Sequence, residues 1–353
     1  MSISISEYFQ RQTAIPEIGT KGLERLQEAK IAVVGVGGVG AAAAEYLAKS
    51  GIGHLKLIDQ DIVESSNLHR LSGVSQEYLY HPKAEVVAEI LAKTISWTDF
   101  DPVVDTLRAS NVNDLLEGVD LIVDGLDNFR TRYYLNNYSR LKKTPYIFTS
   151  AIATQGHVGL FAPPETACLE CVFPSVTDRP EESCEVLGIA PAVVGLVGAI
   201  AASEAVKLLL EIPTKMKGSL LTVDFLGPEF LVSQVSRRED CEACTDSKKP
   251  ADTSEGVLTM LCGEKTYNVV PQRPMSFDLW KTSRTLPPEN ILRSTGSVLV
   301  YRREEFVISL FRTGRMMIGG VNEGKRVLNV AKEVWENATR ETGQPVQEVF
   351  PTI

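Results

Sequence analysis

Four glycines, a cluster of charges and two cysteine pairs carry the chemistry in this chain. Gly35, Gly37, Gly38 and Gly40 lie in one short run, where a backbone without side chains can approach phosphates. The helix-forming stretch behind them adds free N–H groups and the positive end of a helix dipole. Asp59 ends the next apolar run, where a carboxylate can accept both hydroxyls of a ribose. At this point NAD, FAD and ATP are equally served. Asp61, Ser66, Asn67 and Arg70 follow closely, and Lys83 opens the next helical stretch. A dinucleotide asks for one acid here and no dense cationic cluster, whereas a triphosphate asks for Lys or Arg on its oxygens and a carboxylate for magnesium. Asp127, beside Asn128 after a later strand-like run, is placed to supply that carboxylate. The ordered set favours ATP with Mg2+. An NAD-dependent oxidoreductase, the rival reading, leaves Arg70, Lys83 and Asp127 without a task.

Cys168 and Cys171, then Cys241 and Cys244, form two Cys-x-x-Cys pairs far apart in sequence. Four thiolates suit a closed tetrahedral Zn2+ site, and a closed site is structural rather than catalytic. Two disulfides are the alternative, disfavoured in a reducing compartment. Cys184 lies in a polar loop with Glu182 and Glu185 beside it, two charges that would raise its thiol pKa. Cys262, in an apolar run, reads as a small buried hydrophobe. His54, His69, His81 and His157 form no pair at ligand spacing.

These residues need a scaffold, and the alternation of patterns supplies one. Lys30–Gly35 is a β-branched run stopping at glycine, Ala41–Ser50 is helix-forming, and 53–59 is a second strand ending in an acid, together a β-α-β unit. A helix from Lys83 to Thr94, a strand from Val119 to Asp124, a helix from about Asn128 to Lys142 and a strand from Tyr146 to Ser150 continue it. The expectation is a doubly wound, Rossmann-like, mostly parallel α/β sheet. A long helix near 195–210 and a zinc-stapled half follow. Residues 1–246 would form this domain and 247–255 a polar linker. Residues 256–353 would form a small α+β domain, with strands near 257–262, 266–270, 296–302, 305–311 and 315–318 and a helix near 323–339.

The 353 residues are 44% hydrophobic and 23% charged, with 36 basic against 45 acidic side chains and a net charge of −9. That excess of acid argues against a nucleic-acid partner. The N-terminus lacks the basic start and apolar run of a signal peptide. The most apolar helix carries Glu204 and Lys207, so neither reads as a membrane element, and a cytoplasmic protein is expected.

Taken together, Arg11-Gln12, the glycine run, Asp59-Gln-Asp61, Ser66-Asn-Leu-His-Arg70, Pro82-Lys83, Asp127-Asn-Phe129 and the two cysteine pairs resemble the ThiF/MoeB family of ubiquitin-activating-type (E1-like) adenylyltransferases. The likeness covers about residues 7 to 246. It implies ATP-dependent adenylation of the C-terminal glycine of a small ubiquitin-like or sulfur-carrier protein ending in Gly-Gly. By the same resemblance Asp59 holds the ribose, Asn67, Arg70 and Lys83 hold phosphates, and Asp127 holds magnesium. Arg11 reaches the ATP site of a second subunit, which implies a homodimer. In several members the cysteine matching Cys184 attacks the acyl-adenylate or carries persulfide sulfur. The downstream partner is then a conjugating enzyme or a sulfur donor, the latter for molybdopterin, thiamine or tRNA thiolation. Leu71 and Leu23 depart from the family, which usually has Gln at both positions.

Overall fold

The structure, a computed structural model, describes residues 3–179, 184–227, 229–245, 258–260, 266–271, 275–320 and 324–340, without the side chains of 184, 185, 259, 260 and 338–340. The expected linker at 247–255 and Cys262 lie outside the described residues. The chain divides into two compact units, Met1–Leu79 with Lys83–Asp252, and Thr253–Ile353 with Tyr80–Pro82.

In the larger unit, helices α1 (Ile5–Tyr8), α2 (Gln10–Thr13) and α3 (Gly19–Glu28) precede strand β1 (Lys30–Val34), helix α4 (Gly38–Lys49) and strand β2 (His54–Ile58). Helix α5 (Lys83–Thr94), strand β3 (Asp99–Val103), helix α6 (Val112–Leu115), strand β4 (Leu121–Asp124), helix α7 (Phe129–Lys142) and strand β5 (Tyr146–Ile152) complete the alternating half. Strand β6 (Gln155–Phe161), helices α8 (Leu169–Val172), α9 (Cys184–Leu187) and α10 (Pro191–Leu209), strands β7 (Ser219–Asp224) and β8 (Glu229–Gln234) and helix α11 (Glu242–Thr245) follow.

The eight strands lie in the order β3-β2-β1-β4-β5-β6-β7-β8. The first five run parallel, and β6, β7 and β8 are antiparallel additions. Strand β1 is buried on both faces, which is why it reads as a continuous apolar run rather than an alternating one. Ile31 and Val33 pack on one side with residues of α4, α5 and α10, while Ala32 and Val34 pack on the other with Leu135 and Tyr138 of α7. Strand order reverses between β1 and β4, so the carboxyl ends of these two strands open a crevice.

Two edges are less apolar than the centre. Strand β3 (Asp-Phe-Asp-Pro-Val) escapes a pattern-based reading because an edge strand need bury little and tolerates Pro102. Strand β8, at the other edge, is exposed along its whole length.

Helix α10 is long and apolar enough to cross a membrane, but here Val193, Val197, Ala201 and Ala205 are buried in the core. It packs on α4 through small residues. A Cβ on Gly198 would come within 2.7 Å of Ala42 Cβ, and one on Gly38 within 2.6 Å of Val194 Cγ1. The two contacts have the same sense along both helices, so α4 and α10 run parallel and their N-termini lie side by side.

The smaller unit contains strands β9 (Leu258–Met260) and β10 (Tyr267–Val269), helix α12 (Leu279–Arg284), strands β11 (Ile291–Ser294), β12 (Val298–Arg303), β13 (Phe306–Phe311) and β14 (Met316–Gly319), and helix α13 (Gly324–Arg340). Its sheet has the order β11-β12-β13-β14-β10-β9 and is antiparallel throughout. Val327, Ala331, Val334 and Trp335 recur at helical spacing and bury one stripe of α13 against Leu299, Ile308 and Leu310.

Candidate functional site

The carboxyl ends of β1, β2 and β4 bring most of the expected residues to one edge of the sheet. The turn after β1 is shaped largely by packing. Gly35 has a left-handed φ of +84°, and a Cβ there would lie 2.7 Å from the Gly125 carbonyl. A Cβ on Gly40 would meet the Gly35 oxygen at 1.9 Å. Gly38 is confined by Val194 and by Arg70 Cγ. Of the four glycines only Gly37 faces open space, so Gly37 is where a ligand can approach the backbone. The adjacent N-termini of α4 and α10 turn two positive dipole ends toward this corner.

Asp59 follows β2 directly and is buried. Its Oδ2 accepts from the Val36 N–H at 2.6 Å and its Oδ1 from the Asp61 N–H at 2.7 Å, which ties the carboxylate to the glycine turn. Burial, with the nearby negative charge of Asp61, pushes its pKa up to about 6. Lys83, at the start of α5, donates from Nζ to Asp61 Oδ2 at 3.1 Å, and its own N–H donates to the Asp61 carbonyl at 2.9 Å. Burial works against its charge, but Asp61, Asp59 and Glu64 outweigh that and hold the ammonium above the ordinary lysine range.

The segment from 64 to 70 forms a compact turn. Asn67 Oδ1 accepts from the Glu64 N–H at 3.2 Å, and Arg70 Nη1 donates to the Ser66 carbonyl at 2.6 Å. Asn67 therefore shapes the loop that carries Arg70, while the Arg70 stem rests beside Gly38.

Strand β4 ends at Asp124, as its apolar run suggests, and Asp124 is fully buried. Asp124 accepts from the Leu126 N–H at 2.8 Å, from Arg132 Nε at 3.1 Å and from the Tyr146 hydroxyl at 2.5 Å. Asp127 follows in the loop with its side chain exposed, and Asn128 Nδ2 donates to it at 3.2 Å. Asn128 caps α7 by accepting from the Thr131 N–H at 3.0 Å. Asp178 caps the same helix end, accepting from the N–H groups of Phe129 at 2.6 Å and Arg130 at 3.2 Å. Neither Arg132 nor Asp178 was marked by the sequence, although Arg132 stands on the buried stripe of α7 with Leu135, Asn136 and Ser139.

Cys168, Cys171, Cys241 and Cys244 meet with all four sulfurs within 4.8 Å of one another. The closer pairs, 3.4 to 3.9 Å apart, match the ~3.8 Å that a tetrahedron with Zn–S bonds of about 2.3 Å requires. They are far longer than a disulfide of about 2.05 Å. Burial and the crowding of neighbouring thiols push Cys241 up to about 11, and Cys168 higher still. Four sulfurs this crowded can all be thiolates only around a cation. Asn136 ties this knuckle to α7, accepting from the Leu169 N–H at 2.8 Å and donating to Glu170 at 3.0 Å.

One expected participant is not brought into this cluster. Arg11 is exposed on α2, whose Gln12 donates to the Ser50 carbonyl at the C-terminal end of α4. The glycine turn lies at the other end of that helix, roughly 18 Å away along its axis. Cys184 opens α9, but its side chain lies outside the described residues. The backbone beyond it reaches the carboxyl end of β5, where the Ala153 N–H donates to the Gly188 carbonyl at 2.9 Å.

The profile of the ThiF family matches residues 9–243. The SAMP-activating enzyme E1 of Haloferax volcanii is 34% identical over 240 residues, which cover 67% of this chain and 87% of that protein. The sulfur carrier protein adenylyltransferase of Thermus thermophilus is 33% identical over 244 residues, covering 67% of this chain and 90% of that one. The adenylyltransferase and sulfurtransferase UBA4 of Yarrowia lipolytica is 32% identical over 312 residues, or 85% of this chain and 76% of that protein. Among solved structures, Escherichia coli MccB crystallised with ATP superimposes with a TM-score of 0.60 at 20% identity, covering 69% of this chain and 75% of that one. At that identity the likeness concerns the fold.

Proposed function

The chain belongs to the ThiF family of E1-like adenylyltransferases, and from that premise we propose that it adenylates the C-terminal glycine of a small ubiquitin-like or sulfur-carrier protein at the expense of ATP. The observation that carries this reading is the convergence of an open glycine turn with Asp59, Lys83, Arg70 and the Asp127 loop at one sheet edge.

In this reading Gly37 admits the phosphates, Asp59 receives the ribose, and Asp61 fixes Lys83 in place. The carrier's terminal carboxylate attacks the α-phosphorus, the bond to the bridging oxygen breaks, and pyrophosphate leaves with the acyl-adenylate retained. A carboxylate is already the nucleophile at neutral pH, so the step requires no general base. Negative charge grows on the α-phosphate, where Arg70, Lys83 and a magnesium ion on Asp127 would oppose it. The residue that completes the charge set is Arg11 of a second copy, since its own helix stands at the far end of α4. This makes the active form a homodimer. The four cysteines would hold a structural zinc ion.

ATP–pyrophosphate exchange with a purified carrier ending in Gly-Gly tests the assignment. Exchange should collapse in Arg70→Ala and in Asp127→Ala, and undiminished exchange in either would overturn it. Stabilisation by NAD in preference to ATP with magnesium would support the oxidoreductase reading instead.

The adenylate then has two possible fates. The relatives named as joint adenylyl- and sulfurtransferases favour sulfur delivery and a carrier thiocarboxylate, and the activating enzyme of Haloferax favours protein modification. Cys184 would serve either, as thioester or as persulfide. A reductant-sensitive adduct lost in Cys184→Ala would place it in the pathway. Residues 1–246 form the adenylation domain in this scheme, 247–255 a linker, and 256–353 a domain that docks a carrier or downstream enzyme.

A further inference from the structure

We infer that Arg132 is a positioning residue for the metal-binding loop: its guanidinium holds the Leu126 peptide so that Asp127 is presented to magnesium. This rests on the reading of Asp127 given above.

The loop from 125 to 128 is gripped from three sides. Gly125 is pressed against the first turn, since a Cβ there would lie 2.3 Å from the Gly35 oxygen and 2.8 Å from Gly40 Cα. The Leu126 N–H donates to Asp124 Oδ1 at 2.8 Å, while the Leu126 carbonyl accepts from Arg132 Nη2. Asn128 is fastened as the cap of α7. Asp127 is the residue of this loop whose side chain is exposed, so the fixed peptide ahead of it and the fixed cap behind it determine where its carboxylate can reach.

Arg132 is itself tightly held. Its Nε meets Asp124 Oδ2 at 3.1 Å, and Nη2 also donates to the Thr149 carbonyl on β5 at 2.7 Å. The guanidinium lies 5.2 Å from the Phe129 ring centre and 4.8 Å from that of Phe148. A salt bridge that only joined α7 to β4 would need Asp124 alone. The additional bond to Leu126 places the same cation on the peptide that precedes Asp127, and only a planar fork flanked by rings can serve both carbonyls and the carboxylate at once. Lysine would keep the charge beside Asp124 and give up the second carbonyl.

Arg132→Lys is therefore expected to raise the magnesium concentration that half-saturates ATP–pyrophosphate exchange by roughly tenfold, the scale on which residues supporting a metal ligand act. ATP binding measured in EDTA by displacement of a fluorescent analogue should stay unchanged. An unchanged magnesium requirement, or weakened ATP binding in EDTA, would overturn the inference. Wild-type exchange in Asp127→Ala alone would instead remove the underlying reading of the loop. Should Arg132→Lys fail to fold, Tyr146→Phe deletes only the hydroxyl that steadies Asp124 Oδ2. It should shift the magnesium requirement in the same direction, and an unaltered requirement would overturn the inference equally.

Discussion

Asp59 must be an anion in a place that disfavours one. Its pKa of about 6 lies above the 3.8 of an unconstrained aspartate, chiefly through burial and then through Asp61. The folded state therefore binds a proton that the unfolded state has already released between pH 4 and pH 6, and stability falls as pH rises through that window. The full effect is on the order of 3 kcal/mol. Asp59→Asn should abolish it. Chemical denaturation of the nucleotide-free protein at pH 4.5 and pH 7 should show wild type losing more stability than the variant, and parallel profiles would contradict this. Lys83 contributes no such dependence, because its three acidic neighbours keep it charged throughout. Arg132 shows the other cost of a buried charge. Arg132→Met should lower stability by about 3–5 kcal/mol in denaturant unfolding because Asp124 is left uncompensated, and a loss under 1 kcal/mol would be incompatible with the pairing described.

At the level of the element, one short turn combines two kinds of glycine. Gly40→Ala would drive a methyl group into the Gly35 oxygen and should yield unfolded or severely destabilised protein, whereas Gly37→Ala meets nothing within 4 Å and should melt close to wild type while binding ATP more weakly. Thermal unfolding paired with ATP titration separates the two, and equal melting losses would refute the distinction. Helix α7 joins more parts than its composition suggests. Asn128 and Asp178 cap it, Arg132 holds the Asp127 loop, and Tyr133 donates to the Phe173 carbonyl at 2.9 Å and accepts from the Val176 N–H at 2.8 Å. Asn136 then carries the cysteine knuckle. Zinc is expected at about one equivalent per chain, and its removal by chelator should lower the melting temperature by at least ~5 °C. A metal-free protein of unchanged stability would argue against a structural ion.

For the whole molecule, the separation of Arg11 from the charge cluster of its own chain makes a prediction about assembly. Neither Arg11→Ala nor Asp127→Ala should support exchange alone. Mixing them should restore about a quarter of wild-type activity, because half the dimers are mixed and one of the two sites in each is intact. No recovery after subunit exchange would mean that Arg11 acts within its own chain or not at all.

Local chemistry was readable without coordinates wherever it follows from neighbours in the chain. The strand-turn-helix pattern around Gly35, Asp59 at a strand end and the helices expected from about Asn128 and about Glu323 are short-range consequences of side-chain size, period and hydrogen bonding. The pairing of distant cysteines was also legible, because thiolates at that spacing have few other uses. Strand β3 was not, since an edge strand escapes the burial that creates a pattern. Only the tertiary structure decided that Gly35, Gly40 and Gly125 are required by one another, and that the anion ending β4 is turned inward to Arg132 while Asp127 faces out. The reason is distance along the chain: periodicity and propensity report on a few neighbouring residues, whereas each of these contacts joins segments that only the parallel sheet brings together.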